Sequence, residues 1–118
     1  MNRPFIAGAL FLLVFASGTY AQKVPDYSGN DLLRECTDKN SVSEVHCLGF
    51  ISGVWAGASL MAIAYHVDKP FFLIPDGATA DQLKDVAVRF LNEHPEKRHM
   101  LAGVLILEAW KEAFPPKP

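Results

Sequence analysis

The stretch SVSEVHCLGFISGVWAGASLMAIAYHV, residues 41–67, decides the fold. Between Glu44 and Asp68 lie 23 residues whose only ionisable side chains besides Cys47 and Tyr65 are His46 and His66. Glu44 stands three residues after Ser41, the spacing of a capping box, so a helix is predicted from there to about His66. Length alone would let this helix cross a membrane. Against that, Gly49, Ser52, Gly53, Gly57 and Ser59 dilute its apolar character. Trp55 falls in the middle of the run, not at an interface, and Lys69 is a weak stop signal. The helix is therefore predicted to be the centre of a soluble bundle. Gly49, Gly53 and Gly57 recur every fourth residue and form a slowly drifting stripe. A glycine costs about 1 kcal/mol relative to alanine inside a helix. Close backbone packing must offset that cost. The partner is either another helix of the same chain or, in a homodimer, a second copy.

Outward from this helix the same signals repeat. Ser28 can cap a first helix to about Asp38, with Leu32, Leu33 and Cys36 on its buried side. Pro70 ends the long helix, and Phe71 to Ile74 is an apolar run in a loop before the turn at Pro75-Asp76-Gly77. Thr79 and Gln82 repeat the capping-box spacing. Leu83, Val86, Ala87, Phe90 and Leu91 follow at helical intervals. Pro95 suits the first turn of a last helix carrying Leu101, Val104, Leu105, Glu108 and Ala109. No stretch alternates long enough to form a strand. The predicted fold is all-α, a compact bundle of about four helices.

The N-terminus carries an export signal. Arg3 precedes the apolar run Phe5 to Phe15, and Thr19-Tyr20-Ala21 places small residues where a signal peptidase reads. Residues 1–21 are read as a signal peptide and 22–118 as the mature domain, which places the protein in the periplasm. Removing 21 of the 118 residues leaves 97. A chain of that size buries about two-thirds of its unfolded surface, enough for one modest core. Both cysteines, Cys36 and Cys47, fall in the mature part, and an even count in an exported chain predicts a disulfide. Such a bond would staple the first two helices, and its loop entropy is worth roughly 3 kcal/mol.

The net charge of −2 and the pI near 6.0 give no case for a nucleic-acid partner. Ser59 is not in a nucleophile elbow. His94 and His99 are five apart, not the four that would place two ligands on one helix face, and His46 and His66 sit at opposite helix ends. The sequence offers no metal site, cofactor, phosphate loop or small-molecule substrate. It reads as a protein-binding domain, not an enzyme. Candidate contact residues are Phe71 and Phe72, with Asp68, Lys69 and Asp76 beside them in the 67–78 loop. The competing reading folds one or both phenylalanines into the core.

Four motifs carry a resemblance. Cys47-Leu48-Gly49-Phe50-Ile51-Ser52-Gly53-Val54 opens the long helix. Ile74-Pro75-Asp76-Gly77-Ala78-Thr79-Ala80-Asp81-Gln82 forms a turn and helix start. Leu91-Asn92-Glu93-His94-Pro95-Glu96 breaks two helices, and Ala113-Phe114-Pro115 closes the chain. In order and spacing they resemble the Rap/Tai family of type VI secretion immunity proteins, over roughly residues 30 to 116. The resemblance implies an all-helical domain, often dimeric, that binds a delivered peptidoglycan amidase and blocks its active site without chemistry of its own. Family members often carry a second cysteine pair. Here Leu73 or its neighbours and Pro116 stand in those places. The alternative function is a periplasmic acid-stress chaperone, which shares the size, disulfide and helices.

Overall fold

Ser28 opens the first helix through a reciprocal cap. Its hydroxyl accepts from the Asp31 backbone N–H at 3.3 Å, and its own backbone N–H donates to the Asp31 carboxylate at 3.0 Å. The Ser28 hydroxyl also donates to that carboxylate at 2.6 Å, and this bond first, then the one from the Ser28 backbone N–H and that from Arg34, hold the Asp31 carboxyl down at about 2. The computed structural model describes residues 26–118, so the expected signal peptide over 1–21 lies outside the described residues. Four helices follow: α1 (Gly29–Thr37), α2 (Ser41–Ala64), α3 (Ala80–Glu93) and α4 (Ala102–Ala113). No strand occurs among the described residues. The predicted bundle, with its Cys36–Cys47 disulfide, is what the chain forms; the Cα atoms of that pair are 5.2 Å apart.

Several local expectations change. The cap of α2 is Asn40, one residue before the predicted box, and its side chain accepts from the Val42 backbone N–H at 2.8 Å. Ser43 instead donates to Asp38 across the connecting loop. α2 also ends before Pro70 is reached. His66 adopts φ 48°, and Val67 N–H donates to Ala62 C=O while His66 N–H donates to Ile63 C=O. That is a Schellman cap with histidine in the left-handed position usually held by glycine. At the other helix start, the box from Thr79 to Gln82 forms as predicted.

The last helix departs most. Pro95–Lys97 makes only one 3-10 turn, and α4 begins at Ala102. The backbone between them is claimed by α1. Gly29 N–H donates to Met100 C=O and Asn30 N–H to Arg98 C=O, both at 3.0 Å, while Ala102 N–H donates to Tyr27 C=O at 2.9 Å. The free amides at the start of α1 are thereby satisfied by carbonyls that a continuous helix would have used internally. The break shifts the buried stripe of α4 to Ala102, Leu105, Ile106, Ala109 and Trp110, whereas Leu101 and Val104 are exposed. Trp110 is fully enclosed, and its indole N–H donates to Leu83 C=O at 3.3 Å. The core joins these residues to Leu32, Cys47, Ile51, Leu83, Ala87, Phe90 and Leu91.

The glycine that closes this core is not in the stripe. A Cβ on Gly29 would stand 2.5 Å from Leu105 Cδ1 and 3.0 Å from both Arg98 O and Leu91 Cδ2. A Cβ on Gly49, Gly53 or Gly57 meets nothing within 4 Å. The expected packing of that stripe inside the chain is therefore corrected: α2 turns its other face inward. Gly29→Ala is expected to lower stability by about 1–3 kcal/mol through over-packing against a backbone carbonyl that cannot rotate away. Urea denaturation checks this, and an unchanged midpoint would contradict it.

Candidate partner-binding groove

α2 is apolar on both sides. Its first half turns Cys47 and Ile51 into the core, with Phe50 and Val54 packed against it. Its second half outruns the other helices. There Val54, Ala58 and Met61 of α2, with Tyr65 just past its end, face Val104 and Leu107 of α4 across a groove of about 890 Å³, floored by Phe71 to Ile74. The segment after α2 is fastened by Leu73 N–H donating to Phe114 C=O at 2.9 Å. Glu108 and Lys111 supply the polar rim. Lys97 donates to Glu108 at 2.9 Å, and that bond raises the lysine ammonium above its ordinary value.

The two phenylalanines of the candidate loop part company. Phe72 turns inward, its ring edge-to-face with Trp110 at 5.7 Å. Phe71 is 71% exposed on the groove. Asp68 and Lys69 are exposed and do not line the groove. Asp76 sits with Gly77 (φ 82°) in a turn closed by Ala78 N–H donating to Pro75 C=O, beside a separate shallow hollow. Of the five loop candidates, only Phe71 and Phe72 line the groove.

Sequence reasoning did not name Trp55, Met61, Tyr65 or Leu107 as groove residues. The available signal was that α2 stays apolar around its whole circumference, which a helix covered on one side does not need. A second polar cluster also went unread. At the disulfide end, Tyr27 donates to Glu35, and His46 Nδ1 pairs with the same carboxylate oxygen. Tyr27 also packs on Phe50 at 4.7 Å. Burial and then the Glu35 carboxylate push the Tyr27 phenol up. Burial disfavours the charge on Glu35, but the bonds from Tyr27 and His46 outweigh it and lower its pKa. This cluster ties the lead-in segment, α1 and α2 together. Among the described residues no group of three or more His, Cys, Asp or Glu side chains could hold a metal.

The fold and the groove define a small, disulfide-stapled helical domain with an uncovered apolar flank. The chain belongs to the Rap1a immunity protein family, which matches residues 28–116. The kinship suggested by the four motifs is thus the right one. No curated protein and no solved structure matches the chain.

Phe72→Ala is expected to cost about 1–2 kcal/mol because it strips a half-buried ring from Trp110. Phe71→Ala should stay within about 0.5 kcal/mol, as exposed substitutions do. Chemical denaturation of the two variants separates them, and equal losses would mean that both rings are core.

Proposed function

We propose that the chain is exported, cleaved after Ala21, and acts in the periplasm as a stoichiometric inhibitor of a type VI-secreted peptidoglycan amidase. It occludes the toxin without turnover and without a cofactor. One observation carries the reading: in a chain of an immunity family, Phe71 stands uncovered on the edge of a large apolar groove. Nanomolar binding takes about 12 kcal/mol. Aromatic side chains seated in desolvated pockets supply most of such energy. A standard interface takes about 800 Å² from each partner, a fraction of this domain's surface. Phe71 serves as the anchor, and Glu108 and Lys111 set the register at the rim. Pairing of two copies through α2 would leave the groove of each open to a toxin.

The test is co-expression with candidate amidase toxins directed to the periplasm. The wild-type chain should protect cells from lysis, and Phe71→Asp should abolish protection while the purified variant keeps its helical content. If no amidase is bound at micromolar concentration and the protein instead suppresses aggregation of unfolded clients at low pH, the chaperone reading replaces this one.

A further inference from the structure

Between α2 and α3 the four residues Phe71-Phe72-Leu73-Ile74 alternate. Phe71 and Leu73 are 71% and 40% exposed on the groove. Phe72 and Ile74 are half-buried and pack against the core. Such alternation is the mark of extended backbone, where successive side chains point to opposite faces. Aromatic and β-branched residues suit that form. Pro70 and Pro75 bound the segment, and neither can donate a main-chain hydrogen bond.

In extended backbone the N–H and C=O groups of successive residues also leave from opposite edges. One edge is occupied, since Leu73 N–H donates to Phe114 C=O at 2.9 Å. The other edge carries the N–H and C=O groups of Phe72 and Ile74. None of these four groups has a hydrogen-bond partner among the described residues. Unpaired main-chain groups beside apolar surface are costly, and an antiparallel strand laid along them would satisfy all four. From the alternation and the unpaired groups we propose that the edge of Phe72 and Ile74 takes an extended segment of a partner protein as an added β-strand.

The chemistry of that segment follows from its surroundings. Neighbours across two strands share a face. Every second side chain of the added strand therefore lies beside Phe71 and Leu73 in the groove and must be apolar. Lys111 on the rim is exposed and has no ion pair among the described residues, whereas Glu108 is held by Lys97. An acidic residue at one end of the segment finds its charge partner there. Along α2 and α4 the main-chain groups are spent within the helices, so a helical occupant would gain side-chain contacts alone. Main-chain bonds supply affinity in strand addition, and the alternate side chains supply selectivity. That the segment belongs to a toxin rests on the proposed function; that the edge accepts a strand does not.

The experiment uses the mature chain and amide NMR. In the free protein the Phe72 and Ile74 amides should exchange with solvent at least tenfold faster than that of Leu73. The probe is a capped peptide of alternating valine and threonine with a glutamate at one end. At millimolar concentration it should move the Phe72 and Ile74 amide signals downfield and leave that of Leu73 in place. The same peptide N-methylated at every second residue should move neither. Leu73→Asp keeps the main chain but sets a charge in the groove, and should weaken peptide binding at least tenfold with helical content unchanged. Phe72 and Ile74 amides as slow as Leu73 in the free chain would overturn the proposal, because the edge would already be covered. Equal binding of the methylated peptide, or shifts confined to the Val104 and Leu107 methyls, would overturn it too. In a complex with an amidase that the chain neutralises, the same two amides should slow at least tenfold. An amidase bound without that slowing would overturn the strand and leave the inhibitor reading intact. A peptide that binds while no amidase does would uphold the edge and remove the toxin.

Discussion

Everything in this domain follows from a mismatch of length. α2 has 24 residues and spans about 36 Å, whereas the next longest helix, α3, has 14 and spans about 21 Å. Three short helices cannot cover so long an apolar rod. The Cys36–Cys47 bond pins the first turns of α2 to α1, so its overhang emerges at the far end. The groove beside Phe71 is a consequence of that overhang, whereas the bare outer face runs along the whole helix, because its neighbours pack only on the side of Cys47 and Ile51. A chain that only needed a stable core would have a shorter or more polar second helix, and the excess is what the proposed partners would cover.

The covered half is held by an unusual dock. The first amides of α1 find their acceptors on the segment between the 3-10 turn and α4, not in a loop of their own. This requires the α1 backbone to lie against Leu91, Arg98 and Leu105, and only glycine at position 29 permits it. The same contact ends the helix that Pro95 begins, sets the phase of α4 and drives Trp110 to the centre. Phe72 then packs on Trp110, which leaves its neighbour Phe71 on the outside. The chain of causes runs from a close backbone approach to the placement of one exposed aromatic.

Local signals were readable where the structure is local. The caps at Ser28 and Thr79, the stripe of α3 and the cysteine staple all depend on residues a few positions apart, and all were legible. What failed to show depends on contacts distant in sequence. Glycines recurring every fourth residue suggested a packed seam within the chain, but spacing cannot say which side of a helix its neighbours occupy. Gly29 gave no periodic signal, although it is the glycine the core requires. Leu101 and Val104 fitted a helical pattern one step out of phase, because the acceptors lost to α1 restart the helix at Ala102. Of the site, the 67–78 loop was found, but the inward and outward turns of Phe72 and Phe71 depend on Trp110, 38 positions further on.

The central claim is that α2 presents two faces with separate tasks. Methyl NMR reads those faces directly. On titration of the mature chain with a bound amidase, the methyl signals of Val67, Leu73, Val104 and Leu107 around the groove should shift, while those of Val45, Leu60 and Ile63 on the outer face stay where the free protein has them. Shifts at Val45, Leu60 and Ile63 with the groove methyls unmoved would contradict the account.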